Sequence, residues 1–383
     1  MPRPRSDGAD TTGSSEMPQN PARAIRPGSD IRLRDVAREA GVHIATASRA
    51  LNPRTRDRVH PRTAAKVDAA AERLGYEVNF AARTLRTQRS EMIGVLIPDI
   101  SRPLYPPMMR GIVDVLEEHG YSALLSATDE DEQRERRLVS SLRARGVDGF
   151  ILATAHVRHP LLEDAATLGV PTVTLNRTAT DAPVSSVAPD NEAGMADIAA
   201  HLAALGHEHI AHIAGPSDTS TGRARTAGLM RALERLGLTI PAELSVETET
   251  YSVAEGVRAA RRLLMSGQPF TAIVTGNDLL ALGALDVLRE SRIGCPEQVS
   301  VTGFNDLPMM DRVSPTLTTV RVPQYEMGRQ AARLLVEQLD GEIMVHHLVL
   351  PVELVVREST GRPPAPGTGR LGTTHRRDIL SAG

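Results

Sequence analysis

Two sets of side chains in this sequence could do chemistry. The first lies in "VHIATASRALN", residues 42–52, where Ile44, Thr46, Ser48 and Arg49 stand at or near the start of a segment that reads as helix, yet none belongs to an ordinary core stripe. Arginine presents a planar fork of donors that fits guanine O6 and N7 or a phosphate, and Thr and Ser hydroxyls can donate to phosphates. Ile44 and Ala45 offer apolar surface to thymine methyl groups. From these residues alone, a solvated helix face in a protein-binding domain reads the same way. The second set is dispersed but shares a context. Asn176 and Arg177 follow "VPTVTL", Arg225 lies in "GRARTAG", Asn277 and Asp278 follow "FTAIVTG", and Asn305 and Asp306 follow "VSVTGF". Arginines with carboxamides or carboxylates around a cleft can form forked hydrogen bonds to vicinal hydroxyls, and a ring such as Tyr251 can stack on a sugar face. Two of these have structural alternatives: Asp278 as a helix cap, and Arg177 as the partner of a carboxylate between lobes.

The elements that must position these residues differ between the two sets. Over residues 31–76 the pattern is helical: "IRLRDVAREAG" puts Leu33, Val36, Ala37 and Ala40 on one face, and "HPRTAAKVDAAAERLGY" does the same with Ala64, Val67, Ala71 and Leu74. A helix, a short turn at Gly41 and a second helix make a helix-turn-helix, with Ala37 at the close approach and Val42, Ala47 and Leu51 facing a small core. Three short helices are expected. From Met92 the period changes to short apolar runs ("MIGVLIP", "VDGFILAT", "HIAHIAG", "FTAIVTG") alternating with amphipathic helices. Continuous apolar strands imply parallel sheets covered on both faces, here two successive doubly wound lobes that bind ligands at the carboxyl ends of their strands.

Charge divides the chain in the same way. The 383 residues carry a net charge of −3, yet residues 31–90 hold 13 Lys and Arg against 6 Asp and Glu, a local excess of seven positive charges. A basic head on an acidic body suits nucleic acid at one end only. Lys66 is the only lysine, a bias that fits phosphate and guanine recognition but equally a GC-rich genome. The single cysteine, Cys295, excludes an internal disulfide and a cysteine-based zinc finger, and His207, His209 and His212 lack a nearby carboxylate or thiol cluster, so no metal is expected. No apolar run reaches signal-peptide or membrane-span length, which predicts a cytoplasmic protein with no membrane partner. Residues 1–30 and 361–383 are too poor in large apolar groups to offset ordering entropy and are expected to be disordered.

The strings "IRLRDVAREAGVHIATASRALN", "ERLGYEVNFAARTLRT", "IGVLIPDISRPLYPPMMRGI", "TGNDLLALGAL", "VSVTGFNDLPMM" and "SPTLTTVRVPQYEMGRQAARLL" occur in an order that resembles the LacI/GalR family of bacterial transcriptional regulators over nearly all of residues 31–358. The resemblance implies a two-lobed, periplasmic-binding-protein-like α/β core of doubly wound parallel sheets at 92–360, preceded by a helix-turn-helix head at 31–78 and a hinge helix at 79–91. It implies a homodimer on near-palindromic double-stranded operator DNA, with His43, Ile44, Ala45, Thr46, Ser48, Arg49 and Asn52 at the major groove or backbone. In the hinge it places Asn79 near the backbone, Leu85 as a minor-groove wedge and Ala82 as its packing neighbour; a plain amphipathic linker is the alternative there. For a small-molecule effector, a carbohydrate or derivative, it points first to Arg225, Asn277 and Asn305, then to Leu104, Tyr105, Asn176, Arg177 and Tyr251. No tetramerisation tail is recognised, so no dimer of dimers is expected, and no cofactor is implied.

Three positions depart from the family's pattern. Asn176 stands where Asp is frequent, Arg102 where Asn is frequent, and His43 where Ser or Thr caps the recognition helix. The first two admit a charged or phosphorylated ligand beside a neutral sugar, and the His43 imidazole could contact phosphate instead of capping. A solute-binding protein of the same two-lobe fold is the competing function, but it has no use for a basic head. An enzyme is not expected, because no glycine-rich phosphate loop, Gly-x-Ser-x-Gly elbow or metal triad occurs.

Overall fold

The computed structural model describes residues 31–76, 89–163, 168–180, 182–342 and 344–365. The chain separates into two compact units, dividing at residues 79 and 80, and each is described by itself.

The first unit has four helices among its described residues, one more than the periodicity predicts: α1 (Leu33–Glu39), α2 (Ile44–Ala50), α3 (Pro53–Arg56) and α4 (Pro61–Leu74). The extra element is a single turn, too short to show a helical period. Gly41, at φ 66°, makes the left-handed corner between α1 and α2, and Gly75, at φ 64°, ends α4. Val36, Ala37, Ala47, Ala50, Val59, Ala64, Val67, Ala70 and Ala71 form the buried core, with Leu33, Val42 and Leu51 packed at its edge. So many alanines let the helices approach closely but supply little apolar area.

Among its described residues the second unit contains two six-stranded sheets. The first has the order β11-β5-β4-β3-β1-β2, from β1 (Met92–Ile97), β2 (Ser122–Ala127), β3 (Gly149–Leu152), β4 (Thr172–Leu175), β5 (Ser185–Pro189) and β11 (His347–Leu350). The second has the order β12-β10-β9-β8-β6-β7, from β6 (Ile210–Ala214), β7 (Ser245–Glu247), β8 (Ala272–Thr275), β9 (Ser300–Asn305), β10 (Thr318–Arg321) and β12 (Glu353–Val355). All neighbours are parallel except β10 and β12. Strands β3, β4, β6, β8 and β9 are buried throughout, as their unbroken apolar runs require.

The lobes are not two consecutive pieces of chain, and here the sequence reading needs correction. After α5 (Tyr105–Glu118), α6 (Glu132–Ala144) and α7 (Pro160–Glu163), the chain leaves the first lobe through α8 (Asn191–Leu205). It builds the second lobe with α9 (Ser220–Arg235), α10 (Val253–Met265) and α11 (Asp278–Glu290), then returns: α12 (Gln324–Leu339) packs on α5 and β11 extends the first sheet before β12 closes the second. Periodicity identifies elements but not their partners, so these returns leave no local mark. Asp190 N–H donates to Leu350 O at 2.9 Å, tying the first crossing to the third.

Helices α5 and α12 meet through reciprocal glycines. A Cβ on Gly111 would lie 2.1 Å from Tyr325 O, and one on Gly328 would lie 2.0 Å from Met108 O. Residue 361 is anchored, although disorder is expected from there: Gly361 N–H donates to Ser300 Oγ at 3.1 Å, and Gly361 O lies 2.9 Å from His207 Nε2. This clamp is polar and long-range, so composition could not register it. Among the described residues, no helix is long and apolar enough to cross a membrane.

Gly328→Ala should force the α5–α12 backbones apart and cost about 3 kcal/mol of stability. Urea unfolding of the full chain measures it; a change below about 0.5 kcal/mol would mean that the contact is slack.

Candidate functional site

In the head, α2 carries the surface that could read a groove. His43, Ile44 and Arg49 are exposed, while Ala45, Thr46, Ser48 and Asn52 are half-buried. Ile44 stands 44% exposed, the one large hydrophobic side chain exposed among the described residues of this unit. His43 does cap the helix: its Nδ1 accepts from Ala45 N–H at 3.2 Å, the service that Ser or Thr performs elsewhere. A phosphate contact would therefore fall to the other ring nitrogen. Asn79, Ala82 and Leu85 lie outside the described residues.

Sequence reasoning missed the element that holds α2. Arg56 Nη1 donates to Ala50 O at 3.0 Å, covering a free carbonyl in the last turn of α2, and to Asp68 Oδ1 on α4 at 3.0 Å. The second nitrogen reaches Asp68 Oδ2 at 2.5 Å. Thr55 Oγ1 adds a bond to Arg49 O at 3.1 Å. One forked guanidinium thus fastens the recognition helix to α4, and the pair holds the Asp68 carboxyl below the usual range.

In the second unit, a small cavity of about 30 Å³ lies between the lobes. All eight residues predicted for an effector line it, namely Leu104, Tyr105, Asn176, Arg177, Arg225, Tyr251, Asn277 and Asn305, together with Arg102, Pro103, Thr221, Leu279 and Leu307. The space suits a water molecule or two, whereas small-molecule pockets run to roughly 300–1,000 Å³, so the lobes must part to admit a sugar-sized ligand. Backbone geometry aims several of these groups. Asn176, at φ 66°, and Asn305, at φ 117°, take left-handed conformations at the ends of β4 and β9. Such conformations are uncommon outside glycine and cluster at ligand clamps. Gly215 is needed behind Tyr251, because a Cβ there would lie 2.2 Å from the Tyr251 hydroxyl.

Arg225 is the centre of the cleft and is 3% exposed. From α9 its Nε donates to Asn191 Oδ1 at 2.8 Å, Nη1 to Gly276 O at 2.7 Å and Nη2 to Asn305 Oδ1 at 3.1 Å. Its Cζ sits 3.8 Å from the centre of the Phe304 ring. Asn305 O in turn accepts from Gln324 Nε2 at 2.8 Å, at the start of α12, which belongs to the first lobe. Asn277 is partly committed: its Oδ1 accepts from Leu280 N–H at 3.0 Å and caps α11. Asp278, expected as a possible cap, does something else. It accepts from Leu307 N–H at 2.7 Å and Thr319 Oγ1 at 2.5 Å, fixing the loop after β9 beneath the cleft. Burial pushes its carboxyl up to about 7, despite those two donors.

Two arginines of the opposite wall are held by a carboxylate that the sequence did not single out. Glu130 Oε1 accepts from Arg102 Nη1 at 2.8 Å and from Arg177 Nη2 at 3.1 Å, so Arg177 does pair with a carboxylate at the cleft. Asp129 and Glu130, at φ 54° and 57°, are consecutive left-handed residues, and that turn places the carboxylate. Burial opposes the charge on Glu130, but the two guanidiniums outweigh it and hold the carboxyl below its ordinary range. His212 is buried in β6 and kept neutral by desolvation, at about 4. No group of three metal-binding side chains gathers among the described residues.

The comparisons with known proteins agree with this anatomy. Residues 32–79 match the model for bacterial regulatory proteins of the lacI family, and residues 199–360 match a periplasmic binding protein-like domain. The HTH-type transcriptional regulator RegA of Clostridium saccharobutylicum is 36% identical over 330 residues, covering 86% of this chain and 98% of RegA. The chain belongs to the LacI family. This family consists of transcriptional regulators, not enzymes, and its head binds DNA. The ribose operon repressor of Halalkalibacterium halodurans is 32% identical over 329 residues, 86% of this chain and 96% of the relative. Among solved structures, a Lac repressor dimer bound to operator and the anti-inducer ONPF aligns with a TM-score of 0.75 at 27% identity, over 87% of this chain and all of that one. A CelR–cellobiose complex aligns at 0.67 and 32% identity, over 86% and 99%.

Two expectations follow from the site. Arg56→Ala frees the last turn of α2 and should lower DNA affinity in gel shifts by a larger factor than it lowers the folding equilibrium in thermal melts, while Arg56→Lys, which keeps the charge without the fork, should restore stability more than affinity. Equal losses in gel-shift and thermal melts would reduce Arg56 to a stability role. For Asp278, the folded pKa of about 7 exceeds the ordinary 3.8, so the folded state gains protons relative to the unfolded one between those values. Stability from this group is complete below about pH 4 and declines as pH rises through 7. Asp278→Asn should flatten that decline in denaturation curves between pH 4 and 8, and an unchanged slope would contradict it.

Proposed function

We propose that this protein is a ligand-responsive repressor that acts in the cytoplasm on the nucleoid, as a homodimer on a near-palindromic operator, under control of a small metabolite that is a sugar or sugar derivative. The observation that carries the reading is that one chain joins a basic head with an exposed helix face to a cleft lined by all eight predicted residues, a buried arginine among them. One head is too small for tight binding alone, and a second head on the same assembly turns the next contact into an intramolecular event. Arg49 reads guanine or phosphate, Ile44 and Ala45 meet thymine methyls, and Leu85 is the hinge wedge. Relatives named for ribose, and a relative captured with cellobiose, favour a carbohydrate-derived effector.

Control requires the ligand to prefer one arrangement of the lobes. Asn305 joins Arg225 on one side to Gln324 on the other, so a ligand that engages Arg225 also bears on a crossing between lobes. That arrangement then sets the spacing of the two Leu85 hinges.

Selection of random duplex DNA by the purified full chain should enrich a near-palindrome with a central CG step, lost in Leu85→Ala. Arg49→Ala should cost roughly 1–3 kcal/mol on the selected site and relax one base position. No enrichment at low salt would overturn the reading, and a uniform loss across sequences would reassign Arg49 to phosphate.

A further inference from the structure

We propose that the effector is an anion, a small polyhydroxylated molecule bearing a carboxylate or phosphate that lies between Arg177 and Arg225. The proposal rests on the effector reading of the cleft and gives that ligand its charge class.

The cleft is lined by three guanidiniums, from Arg102, Arg177 and Arg225, and the carboxylates that pair with the first two, Asp99 and Glu130, are not among the lining residues. Glu130 is already shared by Arg102 and Arg177. Arg225 is buried, and its recorded acceptors are a carboxamide oxygen of Asn191, a backbone carbonyl and a carboxamide oxygen of Asn305. No ion pair to Arg225 is found among the described residues. A buried guanidinium held by neutral acceptors keeps its hydrogen bonds but lacks a counter-charge, and an uncompensated buried charge is costly. Arg177, 2% exposed, lies near enough that each cation opposes the other's charge. Asp278, the nearest acid behind Arg225, is turned to Leu307 and Thr319 and is itself held towards neutrality by burial.

Two asparagines face the same space. Asn176 Oδ1 is buried with no partner, which marks an acceptor aimed at something other than the protein, and a ligand hydroxyl supplies the matching donor. Asn305 occupies the position from which a carboxylate would neutralise Arg225 internally. With an amide there, the neutralising charge must arrive with the ligand. A neutral sugar can satisfy the acceptor on Asn176, but it leaves the excess positive charge in place.

The test is direct binding to the full chain by calorimetry, at matched ionic strength, with three related sets: glucose, glucuronate and glucose 6-phosphate; ribose, ribonate and ribose 5-phosphate; and inorganic phosphate against chloride. The anionic member should bind about 10- to 100-fold more tightly than its neutral parent, the range expected for one charge-assisted bond in a buried site. Preference for the sugar acids identifies a carboxylate, and preference for the phosphate esters identifies a phosphate. Asn305→Asp places a counter-charge beside Arg225 and should reduce the anion-to-neutral ratio at least tenfold, whether or not Arg225 variants fold. Neutral parents binding as tightly as their anions, no member binding with no stabilisation by inorganic phosphate over chloride, or an unchanged ratio in Asn305→Asp, would each overturn the proposal. Failure here leaves operator selection untouched, while failure to select DNA leaves the charge preference standing, so the two readings fail separately.

Discussion

A single buried guanidinium organises the larger unit. Arg225 sits where the chain crosses between lobes, and its three acceptors come from the start of α8, the end of β8 and the end of β9. A charge in that position is expensive to bury, and it is retained because each nitrogen finds an oxygen at hydrogen-bond distance and its face stacks on Phe304. The geometry of the cleft follows from it. Asn305 must adopt a left-handed backbone to bring Oδ1 to Arg225, and the same residue's carbonyl receives Gln324. Anything that pulls on the guanidinium therefore pulls on a connection between the lobes.

The head obeys a different economy. Its core is largely alanine, with Val36, Val59 and Val67 as the larger buried members, so apolar burial is thin for a unit of this size. Polar fastenings make up the difference: His43 and His60 cap α2 and α4, and Arg56 links the end of α2 to Asp68. These bonds orient helices as well as stabilise them. A recognition helix anchored at both ends presents its side chains in one register, which base-edge hydrogen bonding demands.

The fold class and most of the cleft were legible because the relevant signals are local. Apolar runs of four to six residues identify buried parallel strands, and polar residues just past those runs identify the cleft side of each sheet. What escaped is non-local. The roles of Glu130 and Asp278 depend on a left-handed turn and on burial by distant segments, neither of which a single sequence displays. The one-turn helix α3 has no period to detect. Histidine as a cap for α2 was weighed only as a departure, although Nδ1 can accept as a hydroxyl does. The return of α12 and β11 to the first lobe was also hidden, since an amphipathic helix looks the same whichever sheet it covers.

That return has a consequence for how the protein is made. The first sheet lacks β11, and α5 lacks the glycine-matched helix that covers it, until residues 324–350 have been synthesised. By then nearly all of the second lobe has left the ribosome. Neither lobe is complete until the last strands emerge, β11 for the first sheet and β12 just after it for the second, and for most of translation the first lobe presents an uncovered helix face and an open sheet edge. Chain order makes the two lobes interdependent in folding even though each has its own sheet.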